Sequence, residues 1–267
     1  MASGKQMTAS PIARRAGLVL LEVLIPVVLV ATWWFTTRHS TSRYFPPLSK
    51  ITTSFHDMWV FSHFWSDAVP SLGRLFLGLS IAVVIGIVVG LVLGLTPLLS
   101  DALAPILEFL RATPGVALLP AAFLLLGVGP TMQVSLIAFG SVWPVLLNTV
   151  DGVRGIDPVV EDVARSYHIG FADRMLRIVL PAASPQIMVG IRMALSIGVT
   201  VIIFTEMIGA TNGIGYQILQ AQRSYAVADM WSGIIMLGVV GYLLNLAFLG
   251  VDRVVLHWHR RMHAAVR

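Results

Sequence analysis

The stretch SLGRLFLGLSIAVVIGIVVGLVLGL, residues 71–95, decides the class of fold, and Arg74 is its only charged residue. An apolar run longer than about 18 residues is typical of a helix that crosses a bilayer. Small residues recur at every fourth position, so they share one ridge of the helix and let a second helix approach closely. They are Gly78, Ala82, Gly86, Gly90 and Gly94. The stretch therefore predicts a membrane span that packs tightly in a bundle.

The composition extends this interpretation to the whole chain. Of 267 residues, 57% are hydrophobic and only 12% are charged, about half the charged share of ordinary globular domains. The net charge is +5, but the basic residues are scattered at the ends of apolar segments, which does not suit nucleic-acid binding. The absence of cysteine excludes disulfides, thiolate metal sites and cysteine nucleophiles. We predict an all-α integral membrane protein that contacts lipid and no nucleic acid.

Six apolar segments are predicted to cross the membrane, and an even number puts both termini on one side. The first follows Arg14 and Arg15 and ends in three aromatic residues without a small-residue cleavage site, so it is predicted to be retained. The third is interrupted by Pro114 and Pro120, and broken helices either line a pathway or are packing kinks. The predicted spans are 16–37, 71–95, 106–126, 131–150, 186–210 and 230–251.

The basic residues predict the orientation of these spans. With both termini in the cytoplasm, the inner segments hold eleven Lys and Arg residues and the outer loops hold four. This positive-inside bias predicts a cytoplasmic tail at 1–15, a membrane domain at 16–251 and a second cytoplasmic tail at 252–267. It also places segment 151–185 in the cytoplasm. No segment outside the membrane is long enough for an independent soluble core.

Two smaller features leave alternatives open. Segment 51–67 mixes aromatic and polar residues, which suits either the outer membrane interface or a partner-docking surface. His259 and His263 are four residues apart, but no carboxylate completes a ligand set, so we predict no metal site.

The cytoplasmic segment predicts two short helices. Asp157 followed by Pro158 is a typical helix start, and the acidic residues Glu161 and Asp162 suit the positive end of that helix. We expect the first helix at 157–167 with its turn at 168–171, and the second at 171–180, ended by Pro181. Charged residues beside exposed aromatic residues are typical of a protein-docking surface.

A family resemblance becomes specific in this segment. The permease subunits of binding-protein-dependent ABC importers carry a cytoplasmic motif of Glu-Ala-Ala, three residues, Gly, nine residues, Ile, one residue and Leu-Pro. This chain has Asp162-Val163-Ala164, His168 and Ile178-Val179-Leu180-Pro181 in the same register. His168 replaces the glycine, and a non-glycine residue in a left-handed, helix-ending conformation costs about 1 kcal/mol. We expect Gly170 to provide the turn instead.

Other stretches resemble the nitrate, sulfonate and taurine branch of these permeases, namely 45–47, 71–74, 143–149 and 213–216. The resemblance implies the six-helix fold of type I ABC importer permeases, also called MetI-like, in the bacterial inner (plasma) membrane. It implies a homodimer, two ATP-binding subunits and a periplasmic or lipid-anchored solute-binding protein. The chain holds only two lysines, neither in a P-loop, so ATP and Mg are expected on the partner ATPase and the chain is not expected to be an enzyme.

The resemblance and the charged segment together give the candidate site, which has no catalytic residue. We expect the pathway to use Asn148, Thr200 and Glu206 and to carry a small anionic solute such as a sulfonate, taurine or nitrate. A carboxylate within a span is either functional or lies near the outer end, where it meets water or Thr205. The candidates for ATPase coupling are Asp157, Glu161, Asp162, Ala164, Arg165, Tyr167, His168, Ile169, Gly170, Phe171, Ile178, Leu180 and Pro181.

Three other functions are alternatives to this one. A proton-coupled secondary transporter with Glu206 as the proton relay is the nearest alternative. A scaffold subunit without a pathway would tolerate changes at the broken third span. An intramembrane hydrolase is disfavoured because no histidine lies within the predicted spans.

Overall fold

The computed structural model describes residues 11–42 and 44–258, with side chains from residue 24 onward, and within this part of the chain every regular element is helical. This confirms the all-α prediction. Short π-helical turns at His56–Ser62, Phe64–Ala68 and Met175–Val179, and a 3₁₀ turn at Gly115–Leu118, connect the α-helices. The α-helices are α1 (Pro11–Thr37), α2 (Leu48–Phe55), α3 (Val69–Leu95), α4 (Pro97–Ala112), α5 (Leu119–Leu126), α6 (Pro130–Arg154), α7 (Pro158–Ser166), α8 (Phe171–Arg174), α9 (Leu180–Gly209), α10 (Ile214–Arg223) and α11 (Val227–Val255).

Four continuous helical segments are long and apolar enough to cross a membrane, and the bent pair of α4 and α5 would make a fifth. The described apolar part of α1, Leu24–Thr37, is shorter than a span by itself. These numbers are compatible with six predicted spans. The four continuous segments are Phe64–Leu95, Pro130–Arg154, Phe171–Gly209 and Val227–Val255.

Three helices, α3, α6 and α9, form the centre of the bundle. The glycine ridge of α3 lies directly against α6, because a Cβ added at Gly86 would come within 2.7 Å of the Val145 side chain. One added at Gly94 would meet Val153 at the same distance, so α3 and α6 run parallel. Helix α9 runs the opposite way, with Gly190 against the Pro144 carbonyl. The predicted close packing of the second span is confirmed.

The bundle therefore has two ends, which we name by the elements there. The α7 end is where α3 and α6 finish and α9 begins, next to α7 and α8. The far end is where α3 and α6 begin and α9 finishes, next to α2 and α10. Helix α11 returns from the far end, and only a small part of its surface is buried within the protomer.

The third predicted span differs from its expectation. Its first helix begins at Pro97 instead of residue 106, and α4 meets α5 at a bend of 80° around Pro114. Pro120 lies in the first turn of α5, where the missing N–H costs no helical hydrogen bond, so it does not interrupt this helix. One break is thus confirmed and the other is wrong.

The expected stop at Pro181 is also wrong. The helix that begins at Phe171 continues through the π-helical turn into α9 and ends only at Gly209, as one segment of 39 residues. Pro181 lies in the first turn of α9, directly after the π-helical turn. A proline in that position removes no regular α-helical hydrogen bond, so the chain needs no break there.

The aromatic segment 51–67 is helical and partly embedded in the protein. Trp59 is buried together with Ala68 against Ile214 and Met236, at the far end. Phe61, by contrast, is exposed. The segment therefore contributes a small second core between α2, α10 and α11.

Candidate functional site

The segment after α6 folds as predicted at its start. The Asp157 carboxylate accepts a hydrogen bond from the backbone N–H of Val159 at 2.9 Å, which caps the first turn of α7. Glu161 accepts from Arg174 at 2.8 Å and from Arg165 at 3.4 Å. The Arg174 contact joins α7 to α8, so the two short helices form one unit.

Helix α7 buries only one position. Ala164 is 2% exposed, and the apolar side chains around it point away from the bundle. Tyr167 is 79% exposed, and Phe171 follows it on the next helix. We call the exposed side chains Val159, Val163, Tyr167, Ile169 and Phe171 the α7–α8 surface. Exposed apolar side chains beside the charged residues of α7 and α8 are typical of an interaction site.

His168 takes the turn that was expected of Gly170. Its φ is +53°, in the left-handed region, whereas Gly170 has φ −60° and ψ 153°. The N–H of His168 donates to the Arg165 carbonyl at 3.0 Å and that of Ile169 to the Ala164 carbonyl at 3.1 Å. This pair of bonds is a Schellman motif, which requires a left-handed residue at the position of His168. The hydrogen bonds of the motif therefore determine which residue is left-handed, and His168 takes that conformation although it is strained for a residue other than glycine.

The last motif residues lie inside the long helix. Val179 is 1% exposed and packs with Val153 and Ala183, so this turn is anchored to the end of α6. Ile178, Leu180 and Pro181 are half-buried around it. The structure thus divides the coupling candidates into an exposed set on α7 and α8 and a packed set at the start of α9.

Glu206 lies in a buried cluster at the far end. Its Oε1 accepts from the Ser71 hydroxyl at 2.6 Å and from the Arg74 guanidinium at 3.2 Å, and its Oε2 accepts from the Gly215 N–H at 3.0 Å. The side chain is 0% exposed. Of the two alternatives for this carboxylate, the one in which it meets water or Thr205 differs from the structure, where the Thr205 hydroxyl donates to the Ile202 carbonyl instead. Because it has no accessible surface, Glu206 also lines no open path in this conformation.

The same cluster ties the loop after α9 to the start of α3. Arg74 also donates to the backbone and side-chain oxygens of Asn212, and the Asp67 carboxylate accepts from the Gly213 N–H at 2.8 Å. Gly213 has φ +129°, and a Cβ there would collide with the Glu206 carboxylate. We call these residues the far-end cluster: Asp67, Ser71, Arg74, Glu206, Asn212, Gly213 and Gly215.

The three pathway candidates are not brought together. Asn148 is half-buried between α6 and α9 and donates to the Pro144 carbonyl at 2.8 Å. Thr200 is exposed on α9 and donates to the Ser196 carbonyl at 3.1 Å. Glu206, six residues further on and about 9 Å along the helix, is enclosed by the far-end cluster. Of the three, only Thr200 has an open surface.

Sequence interpretation missed Arg74 as the partner of Glu206, since the two residues are 132 positions apart. The available signal was their charge, one basic and one acidic residue within predicted spans. Within the described residues no group of histidine, cysteine, aspartate and glutamate side chains could hold a metal ion. His259 and His263 lie outside the described residues.

The family model described as "Binding-protein-dependent transport system inner membrane component" matches residues 82–261. The chain belongs to this family of ABC importer permeases. The taurine transport system permease protein TauC of Escherichia coli is 29% identical over 256 residues, covering 93% of this chain and 92% of that protein. The putative aliphatic sulfonates transport permease protein SsuC of the same organism is 32% identical and covers 90% and 92%.

Other permeases of the family match a shorter part of this chain. The nitrate import permease protein NrtB of Leptolyngbya laminosa is 33% identical over 68% of this chain and 65% of its own length. Among solved structures, the MetNI methionine ABC transporter in inward facing conformations superposes with a TM-score of 0.60 at 20% identity, covering 70% of this chain and 93% of that one. This likeness shows a shared MetI-like fold.

Proposed function

We propose that the chain forms the translocation path of an importer for a small oxoanion, of the sulfonate, taurine or nitrate kind, and that a separate ATPase drives it. The proposal rests on the family membership and on the solutes for which the relatives are named: taurine, aliphatic sulfonates, nitrate and bicarbonate. All four solutes carry several oxygen atoms on one small anionic centre. The proposal places the protein in the bacterial inner membrane with both termini in the cytoplasm.

The α7–α8 surface is the proposed contact with the ATPase. It lies at one end of the bundle, it exposes Tyr167 and Phe171, and the Glu161–Arg174 pair holds its two helices together as a unit. In this proposal the two helices move together when the ATPase moves. Closure of an ATPase dimer on ATP and Mg would then shift the permease between inward-open and outward-open states through the different affinity of ATP for the two states.

The proposed assembly holds a second copy of this chain, two ATP-binding subunits and a periplasmic or lipid-anchored solute-binding protein. In this arrangement the permease itself binds no nucleotide. A proton-coupled transporter with Glu206 as relay would need that carboxylate to reach water, which its burial opposes. Reconstitution separates the two functions, because the secondary transporter works alone in liposomes under a pH gradient.

The test uses the permease reconstituted with its ATP-binding subunits and binding protein, with labelled taurine or ethanesulfonate as solute. Tyr167→Asp should leave the permease folded and abolish both ATPase association and uptake, because it puts a charge in the apolar contact. Val254→Asp is the matched control, since it adds the same charge to another exposed apolar position, in the last turn of α11. Normal uptake by Tyr167→Asp, or uptake by the permease alone, would refute the proposal.

A further inference from the structure

Arg192 is a charged residue in the middle of an apolar stretch of α9. It lies in the run IMVGIRMAL, residues 187–195, and its side chain is exposed. It forms no ion pair or hydrogen bond with any part of the chain that the structure describes. An arginine within a membrane span is costly in lipid, so such residues almost always face a bundle interior or a water-filled cavity.

The face of α9 that carries Arg192 is polar further along. Ser196 and Thr200 follow at four and eight positions, both are exposed, and the Ser196 hydroxyl has no partner within the described residues. Steps of four residues keep side chains on one side of a helix. The opposite face of α9 is the packed one, where Gly190 and Gly198 lie against α6 and α3. Packing within the protomer therefore does not explain the three polar residues.

We propose that Arg192, Ser196 and Thr200 line a water-filled passage and that Arg192 binds the oxoanion as it crosses. The planar guanidinium presents parallel N–H groups that match two oxygens of a sulfonate, nitrate or bicarbonate. The Ser196 hydroxyl adds a further donor, and Thr200, whose own hydroxyl donates to the Ser196 carbonyl, extends the polar row to about 12 Å along the helix. This inference rests on the proposed function for the identity of the solute and adds the residues that hold it.

The buried carboxylate of α9 does not oppose this site. Glu206 is 14 residues away, about 21 Å along the helix, and Arg74 compensates its charge. Arg192 has no such partner among the described residues, so its positive charge remains available to an anion. The competing explanation is that Arg192 reaches back along the helix to lipid headgroups at the α7 end, as long basic side chains do near span ends.

The absence of cysteine in the chain provides a direct test. Single cysteines at Ser196 and at Val84 are compared in membranes that hold the assembled importer. Val84 is the matched control because it is exposed on α3 at a similar depth. Helix α6 relates the two depths: its Val145 lies beside Gly86 of α3, and one turn earlier its Ser141 donates a hydrogen bond to the Ala194 carbonyl of α9. Membrane-impermeant methanethiosulfonates, one with a sulfonate and one with a trimethylammonium group, are the probes.

We expect the Ser196→Cys thiol to react and the Val84→Cys thiol to stay unmodified. After each rate is divided by the rate of the same probe with a free thiol in solution, the anionic probe should be favoured at least about fivefold over the cationic one, the ratio that a unit charge roughly 8 Å away gives in water. Arg192→Gln should abolish this preference and Arg192→Lys should keep it. Ethanesulfonate should slow the labelling only where residue 192 is basic.

Two results would overturn the inference. An unreactive Ser196→Cys places this face in lipid, and a reaction without charge preference removes Arg192 from the anion site. Both are read from labelling alone, so they do not depend on transport. If labelling behaves as expected while ATP-driven uptake is missing, the proposed function fails and the anion site remains.

Discussion

Helix α9 carries two charged side chains that the fold treats in opposite ways. Glu206 has three hydrogen-bond donors and no exposed surface, whereas Arg192 is exposed and has no partner within the described residues. A charge in a membrane span is tolerated either when it is neutralised inside the protein or when it faces water. The difference teaches that a charged residue in a span indicates a pathway only when no partner within the protein compensates its charge.

The largest effect on stability is expected when the hydrogen-bonded charge, Glu206, is removed. Glu206→Ala leaves Arg74 nearly buried without its counter-charge, which should lower the free energy of unfolding by about 3–5 kcal/mol. Unfolding in mixed detergent micelles measures it. Arg74→Ala should cost a similar amount, and the double variant should cost less than the sum of the two. A loss below about 1 kcal/mol in either single variant would show that the pair is not structural.

Helix α3 offers a second comparison, between Gly90, which is closely packed against α6, and Gly73, which has open space around it. Gly90→Ala should cost about 1–3 kcal/mol, because the new Cβ would lie 2.6 Å from Thr149 and 2.8 Å from the Leu146 carbonyl, which cannot move aside easily. Gly73→Ala is the control, since nothing lies within 4 Å of its Cβ and alanine favours helix by up to about 1 kcal/mol. Equal stability of the two variants would contradict close packing of α3 on α6.

The turn between α7 and α8 offers a smaller, local test, because His168 has a left-handed backbone and its neighbour Gly170 does not. His168→Gly should stabilise the end of α7 by roughly 1 kcal/mol, because glycine adopts φ +53° without strain. Hydrogen exchange of the Ile169 amide, which closes the Schellman motif, measures the local opening. Gly170→Ala is the control and should change little, because Gly170 has φ −60°. Faster exchange in His168→Gly would mean that the imidazole contributes more than its backbone strain costs.

The smallest effect on stability is expected at Arg192. Arg192→Leu should change the free energy of unfolding by no more than about 0.5 kcal/mol, since the side chain has no hydrogen bond or ion pair to lose within the described residues. Uptake of ethanesulfonate by the reconstituted importer should nevertheless fall strongly. A loss of stability comparable with that of Glu206→Ala would show that Arg192 has a structural partner in the assembled dimer.

Sequence reasoning predicted the central bundle well. Spans two, four, five and six were predicted within a few residues at most ends, because long apolar runs and the four-residue glycine spacing depend on local chemistry alone. The Asp157 cap was predicted for the same reason. These features need no knowledge of what lies across the bundle.

The errors have two physical origins: one contact between residues distant in sequence, and local backbone geometry that residue type alone does not determine. The pairing of Arg74 with Glu206 depends on the loop at Asn212 and Gly213 folding back onto α3, and no local pattern encodes that. The left-handed turn fell on His168 instead of Gly170 because the hydrogen bonds of the whole helix end set the register. Pro181 did not stop its helix because a π-helical turn precedes it. Orientation and ATPase contact remain predictions.

The unbroken helical segment from Phe171 to Gly209 has a mechanical consequence. Its 39 residues are about 58 Å long, so it acts as a lever with one arm beside α7 and the other at Glu206. A tilt of about 5° at the first turn would displace the opposite tip by about 5 Å, roughly the pitch of one helical turn. Any bending of this segment is expected near its π-helical turn and Pro185, so the part of α9 beyond them carries the displacement to the far-end cluster.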